Sequence, residues 1–146
     1  MTTLEFQINI NAPAQKVWDT LFSPETYGEW TQFFMPGSQM KTDWQIDGKT
    51  YFTDAKGDGM VSTIKSLKEP YEVIFSHLGM VKDGVEDTKS KEVIEWSGVQ
   101  EKYFLHEENG VTQLRTELQT DSNWEADMNN GFTKGFEVVK MLAEKE

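Results

Sequence analysis

Six strand-like segments in a row, followed by one long amphipathic helix, constrain this chain more than any other feature. Met40, Thr42, Trp44 and Ile46 alternate with polar residues before an Asp47-Gly48 turn. Thr50–Ala55, Met60–Leu67 and Tyr71–Met80 follow, divided by Lys56-Gly57-Asp58-Gly59 and Lys68-Glu69-Pro70. Val81–Lys91 is charged and contains Gly84, and reads as the longest loop. Glu92–Glu107 reads as one long strand, Glu108-Asn109-Gly110 as a hairpin, and Val111–Thr120 as a strand whose even positions share a face. Strands joined this tightly pair antiparallel, with one wet face and one apolar face that must be covered. The cover is the terminal helix, expected over roughly Asn123 to Glu144, with Ser122 and Glu125 as a capping box. Trp124, Met128, Phe132, Phe136, Val139 and Ala143 form its apolar stripe.

The start of the chain adds a strand and two helices. Leu4, Phe6, Ile8 and Ile10 alternate with polar residues. Asn11-Ala12-Pro13 then changes the period, and Ala14, Val17, Trp18 and Leu21 make a helix over 13–22. Ser23-Pro24 opens a second helix carrying Tyr27, Trp30, Phe33 and Phe34, closed by Met35-Pro36-Gly37. The expected fold is α+β: a curved seven-stranded antiparallel sheet around a long C-terminal helix, with two short helices between strands 1 and 2. A twisted sheet of this size curls, and a helix laid in its concavity leaves a cavity. With no repeat or linker, residues 1–146 read as one domain.

Composition removes several function classes. Lysine and arginine number 14 against 25 aspartates and glutamates, a net charge of −11, which opposes binding to nucleic-acid phosphates or anionic lipid. No cysteine is present, and the two histidines, His77 and His106, are far apart in sequence. Thiol chemistry and Cys-ligated metal are excluded, and no metal or other cofactor is expected. Asp83, Glu86 and Asp87 fit no calcium-loop spacing. The N-terminus resembles neither a signal nor a transit peptide, and no apolar run approaches the roughly 18 residues of a membrane span, so a cytoplasmic protein is expected. Nine Phe, five Trp and four Tyr make a ring-rich interior, common where a small molecule must fit.

Ile10-Asn-Ala-Pro-Ala-Gln-Lys-Val-Trp18, then Ser23-Pro24-Glu25 and Trp30, resembles the opening of the START-related, birch-allergen-like superfamily (SRPBCC). Trp44…Gly48…Tyr51, Leu67…Pro70…Val73…Phe75, Gly110-Val-Thr112-Gln-Leu114 and Gly135-Phe136-Glu-Val-Val-Lys-Met-Leu142 continue the likeness. It is nearest to small bacterial homologues of the activator of the 90 kDa heat-shock protein ATPase (the AHSA type). The sequence departs from that pattern at His77, where an aromatic residue is usual, and at Phe136, where Trp is usual. The resemblance implies a helix-grip fold and a hydrophobic cavity. It implies three functions, ranked in this order: an apolar-ligand binding module, a polyketide cyclase or aromatase-like enzyme, and a chaperone ATPase regulator. The regulator ranks last because that activity in eukaryotic relatives depends largely on an additional N-terminal domain. A monomer or weak dimer is expected, and no catalytic motif marks an enzyme.

Candidate cavity residues are Trp30, Phe34, Trp44, Tyr51, Phe75, His77, Trp96, Tyr103, Phe132 and Phe136. His77 shares a strand face with Val73 and Phe75 and is the expected polar contact for a phenolic or carboxylic ligand, since imidazole changes charge near neutral pH. The plainer reading is a core imidazole bonded to a neighbour. Glu95 or Trp96 must point inward if the strand runs through them; an outward Glu95 is the favoured reading because an unpaired buried carboxylate is costly, and an inward one would face His77. Arg115 belongs to the polar face and His106 to the surface. Gly131 and Gly135 strip side chains from one face of the last helix, for close packing on the sheet or for ligand space.

Overall fold

The computed structural model describes residues 1–145. The strands are β1 (Thr2–Ile10), β2 (Gln39–Thr42), β3 (Lys49–Thr53), β4 (Gly59–Lys68), β5 (Glu72–Lys82), β6 (Val85–Asp87), β7 (Gln100–Glu108) and β8 (Val111–Thr120). The helices are α1 (Ala14–Phe22), α2 (Pro24–Thr31), the short α3 (Lys91–Ile94) and α4 (Glu125–Ala143). Seven strands form one antiparallel path, β1-β8-β7-β5-β4-β3-β2, and β6 pairs with β5 beside it. The sheet is curved and unclosed around α4, as the alternation and the terminal stripe demand.

Register follows the sequence pattern where one face is strongly apolar. Phe6 opposes Thr116 and Ile8 opposes Leu114, so the even positions of β8 face α4. Tyr103 opposes both Val73 and Thr116, carrying the same face across β7 to β5. Arg115 points the other way, pairing with Glu5 at 2.8 Å and lying over the Phe104 ring. His106 is exposed beside Glu108. The core is a web of rings: Phe132 stacks on Phe6 at 5.0 Å between centroids, and Trp30 meets Phe136 at 5.9 Å. Such pairs contribute roughly 0.5–1.5 kcal/mol beyond their burial. The Trp30 indole donates to the Leu21 carbonyl at 2.9 Å, so the buried N–H is satisfied.

Several expectations are corrected. Glu92–Glu107 is not one strand. Ser90 caps α3 by accepting from the Val93 N–H, Asp87 accepts from Lys89 and Ser90, and Gly98 at φ +95° turns the chain back. Pairing resumes at Gln100. Val81–Lys91 is not a loop either, because β5 runs on to Lys82 and Asp83-Gly84 makes a hairpin into β6. β2 stops at Thr42, and Trp44, at φ +54°, lies outside it. The Ser122–Glu125 capping box does not form. Asp121 accepts from the Asn123 N–H, a short 3-10 turn precedes α4, and Trp124 is exposed. Ser23 likewise makes no side-chain cap on α2.

The two glycines of α4 have a cause that neither expectation named. A Cβ on Gly131 would enter the Phe34 ring, and one on Gly135 would lie 2.6 Å from the Trp30 carbonyl oxygen. They let α4 approach α2, not the sheet, and leave no free space.

Candidate functional site

The cavity encloses about 260 Å³ between α2, the start of α4 and the concave face of the sheet. Spacing of three and four along the helix and the turn after it puts Tyr27, Trp30, Thr31 and Phe34 on one wall. The sheet supplies Phe52, Met60, Met80, Glu101 and Tyr103, and α4 closes the far side with Met128 and Phe132. Met35, the β3–β4 turn residues Asp54 and Asp58, and the polar Ser38, Gln39 and Thr53 also line it. Methionines are adaptable walls, able to repack around differently shaped ligands.

The polar centre is a chain of four side chains on the inner face. The Tyr103 hydroxyl donates to Glu101 Oε2. Glu101 Oε1 lies 3.4 Å from His77 Nε2, and His77 Nδ1 lies 2.6 Å from Ser62 Oγ. With a proton on Nε2, Nδ1 accepts from the serine hydroxyl, so the ring is bonded at one end and faces the carboxylate at the other. Burial, followed by the Glu101 charge, raises the Tyr103 hydroxyl well above its ordinary pKa. The same two causes raise Tyr27. Both phenols therefore stay neutral and can serve as hydrogen-bond donors. Glu101 lines the cavity beside Tyr103 and keeps lone pairs for a visitor.

Of the ten candidate residues, Trp30, Phe34, Tyr103 and Phe132 line this cavity. Phe75 and Phe136 are buried in the core, outside the lining. His77 is buried behind Glu101 and does not line the cavity, so the bonded core imidazole is its observed state. Tyr51 faces away, donating to Glu86 at 2.8 Å on the outer side, while its neighbour Phe52 points in. Trp44 packs on Trp18 and Phe22, beside a separate surface depression. Trp96 lies on the turn after α3, and Glu95 is exposed, so neither points inward. The carboxylate facing His77 is Glu101 instead. Counting back in twos from the Asn109-Gly110 hairpin through Leu105 and Tyr103 would have found it.

The order of elements and the ring-lined concavity match a known architecture. A family model described as Activator of Hsp90 ATPase homolog 1-like protein matches residues 11–140. The chain belongs to that family. Comparison with curated proteins finds no significant match. Among solved structures, the Aha1 dimer of Colwellia psychrerythraea aligns over 99% of this chain and 97% of its own, at 15% identity and a TM-score of 0.72. CalU16 of Micromonospora echinospora aligns over 97% of this chain and 76% of its own, at 17% identity and a TM-score of 0.66. DynU16, from the dynemicin biosynthetic locus, aligns over 98% of this chain and 47% of its own, at 13% identity and a TM-score of 0.69. At these identities the likeness to the solved structures shows the fold alone. No described helix is long and apolar enough to cross a membrane.

Proposed function

We propose that this protein is a small-molecule binding module whose ligand, a compact apolar or aromatic compound, sits among Trp30, Phe34, Phe52, Tyr103 and Phe132. The observation that carries the reading is the cavity of about 260 Å³ walled by rings and methionines. Ligand sites usually run from roughly 300 to 1,000 Å³, so this one suits a molecule of few rings over a long acyl chain. The acidic balance disfavours nucleic acid and anionic membrane as partners, and the reading extends to a cytoplasmic monomer or weak dimer. The experiment is a thermal-shift screen of flavonoids, fatty acids and polyketide-like aromatics, alongside native mass spectrometry of protein purified from its own host. Compact ring compounds are expected to raise the melting temperature and to compete with any retained molecule. A screen in which no apolar compound does so removes the reading.

One observation favours a second reading, a cyclase or aromatase-like enzyme. Glu101 and Tyr103 meet at one end of a largely apolar space with His77 behind the carboxylate, the arrangement of an acid/base group held by its neighbours. The neighbours CalU16 and DynU16 are consistent with either reading. Turnover of a bound aromatic polyketide analogue, abolished in Glu101→Gln while binding persists, separates enzyme from binder.

A further inference from the structure

Resting on the binding reading, we infer that the cavity selects a ring-bearing molecule with a cationic amine, which the Glu101 carboxylate holds within a cage of aromatic faces. The charged side chains of the lining are Asp54, Asp58 and Glu101, and all three are acidic. Among the described residues no lysine or arginine lines the cavity, and none forms an ion pair with Glu101. That carboxylate is only 18% exposed, with a tyrosine hydroxyl and an imidazole as its company. The Tyr103 hydroxyl engages one of its four lone-pair sites and the imidazole stands 3.4 Å from the other oxygen, so at least two remain.

The three classes of ring-bearing ligand meet this site differently. A carboxylate ligand brings a like charge into a space of reduced dielectric, where repulsion is far stronger than in water. A neutral hydrocarbon fills the space but seals Glu101 from solvent and adds no counter-charge to the tyrosine hydroxyl and imidazole beside it, which is costly for a buried charge. An amine supplies that partner, and its ammonium group lies against ring faces already in place, which attract cations. Tyr27, Trp30, Phe34, Phe52 and Phe132 line the same cavity as the carboxylate. The rim agrees with the floor, since Asp54 and Asp58 bias approach toward cations, as does the net charge of −11.

The test is isothermal titration of the intact protein with tryptamine, skatole and indolepropionate, which share a ring and differ in charge. The same series is run on phenyl and naphthyl bodies. Amines are expected to bind at least about tenfold more tightly than their neutral counterparts, with the carboxylates weakest. Glu101→Gln is expected to abolish the preference, bringing the amine and its neutral counterpart to the same affinity. Because the ranking is read on the unaltered protein, it holds even where that variant does not fold. Neutral compounds binding as tightly as amines overturn the inference and leave the binding module standing. Binding by none of the compounds, on any ring body, overturns both.

Discussion

Tyr103 is buried in the ring-rich interior and Tyr27 is half-buried at the cavity wall, and in both burial and the Glu101 charge oppose ionisation. In the unfolded chain both phenols ionise near pH ~10, whereas in the folded chain they keep their protons beyond it. Their contribution to stability is therefore fully present below about pH 10 and is lost as pH rises past it. Tyrosinate absorbance from these two residues is expected to appear together with the loss of circular dichroism, in one cooperative alkaline transition. In Tyr27→Phe that transition should move to higher pH. Ionisation of both phenols ahead of unfolding would contradict their burial. The same interior explains how far single residues were legible. Trp30, Tyr103 and Phe132 announce themselves because large rings have few other places to go. Tyr51 and Phe52 are adjacent rings of which alternation admits one, and the buried Thr50, opposite Ser62, hides the parity that favours Phe52.

Elements were legible where one physical signal dominated. The β1 and β8 alternation and the α4 stripe each set a face without help from the rest of the chain. Residues 92–97 failed that test, because Val93, Ile94 and Trp96 look strand-like while the deciding signals are a Ser90 cap and a Gly98 turn. The start of α1 was legible at Pro13, but the group that caps it was hidden. The Ala14 N–H donates to Glu107 at 2.7 Å, a cap supplied from β7 across 93 positions of chain. Glu107→Ala is expected to lower unfolding free energy by about 1 kcal/mol in urea titration, the usual loss for a helix cap. The contact between α2 and α4 gives a sharper test. Alanine ordinarily favours a helix interior over glycine by about 1 kcal/mol. At Gly135 the new methyl meets the Trp30 backbone, which cannot swing aside. Gly135→Ala should therefore destabilise by roughly 1–3 kcal/mol, as overpacking does. A gain in melting temperature would show that α2 yields.

For the whole molecule, the same rings form both core and cavity wall, so stability and ligand capacity are linked. Phe136 is buried against Trp30 outside the cavity, and Phe136→Ala is expected to cost about 3–5 kcal/mol by denaturant titration. A loss below about 1 kcal/mol would mean that its ring borders open space. The pairing of β1 with β8 has a consequence for how the chain is made. Ile10 meets Thr112, its register partner, only after about a hundred further residues have left the ribosome. At roughly 5–20 residues per second, the first strand waits on the order of 5–20 s with Leu4, Phe6 and Ile8 uncovered. For that interval the newborn segment is an apolar strand without a sheet, and a cell making this protein must keep it from pairing with the wrong neighbour.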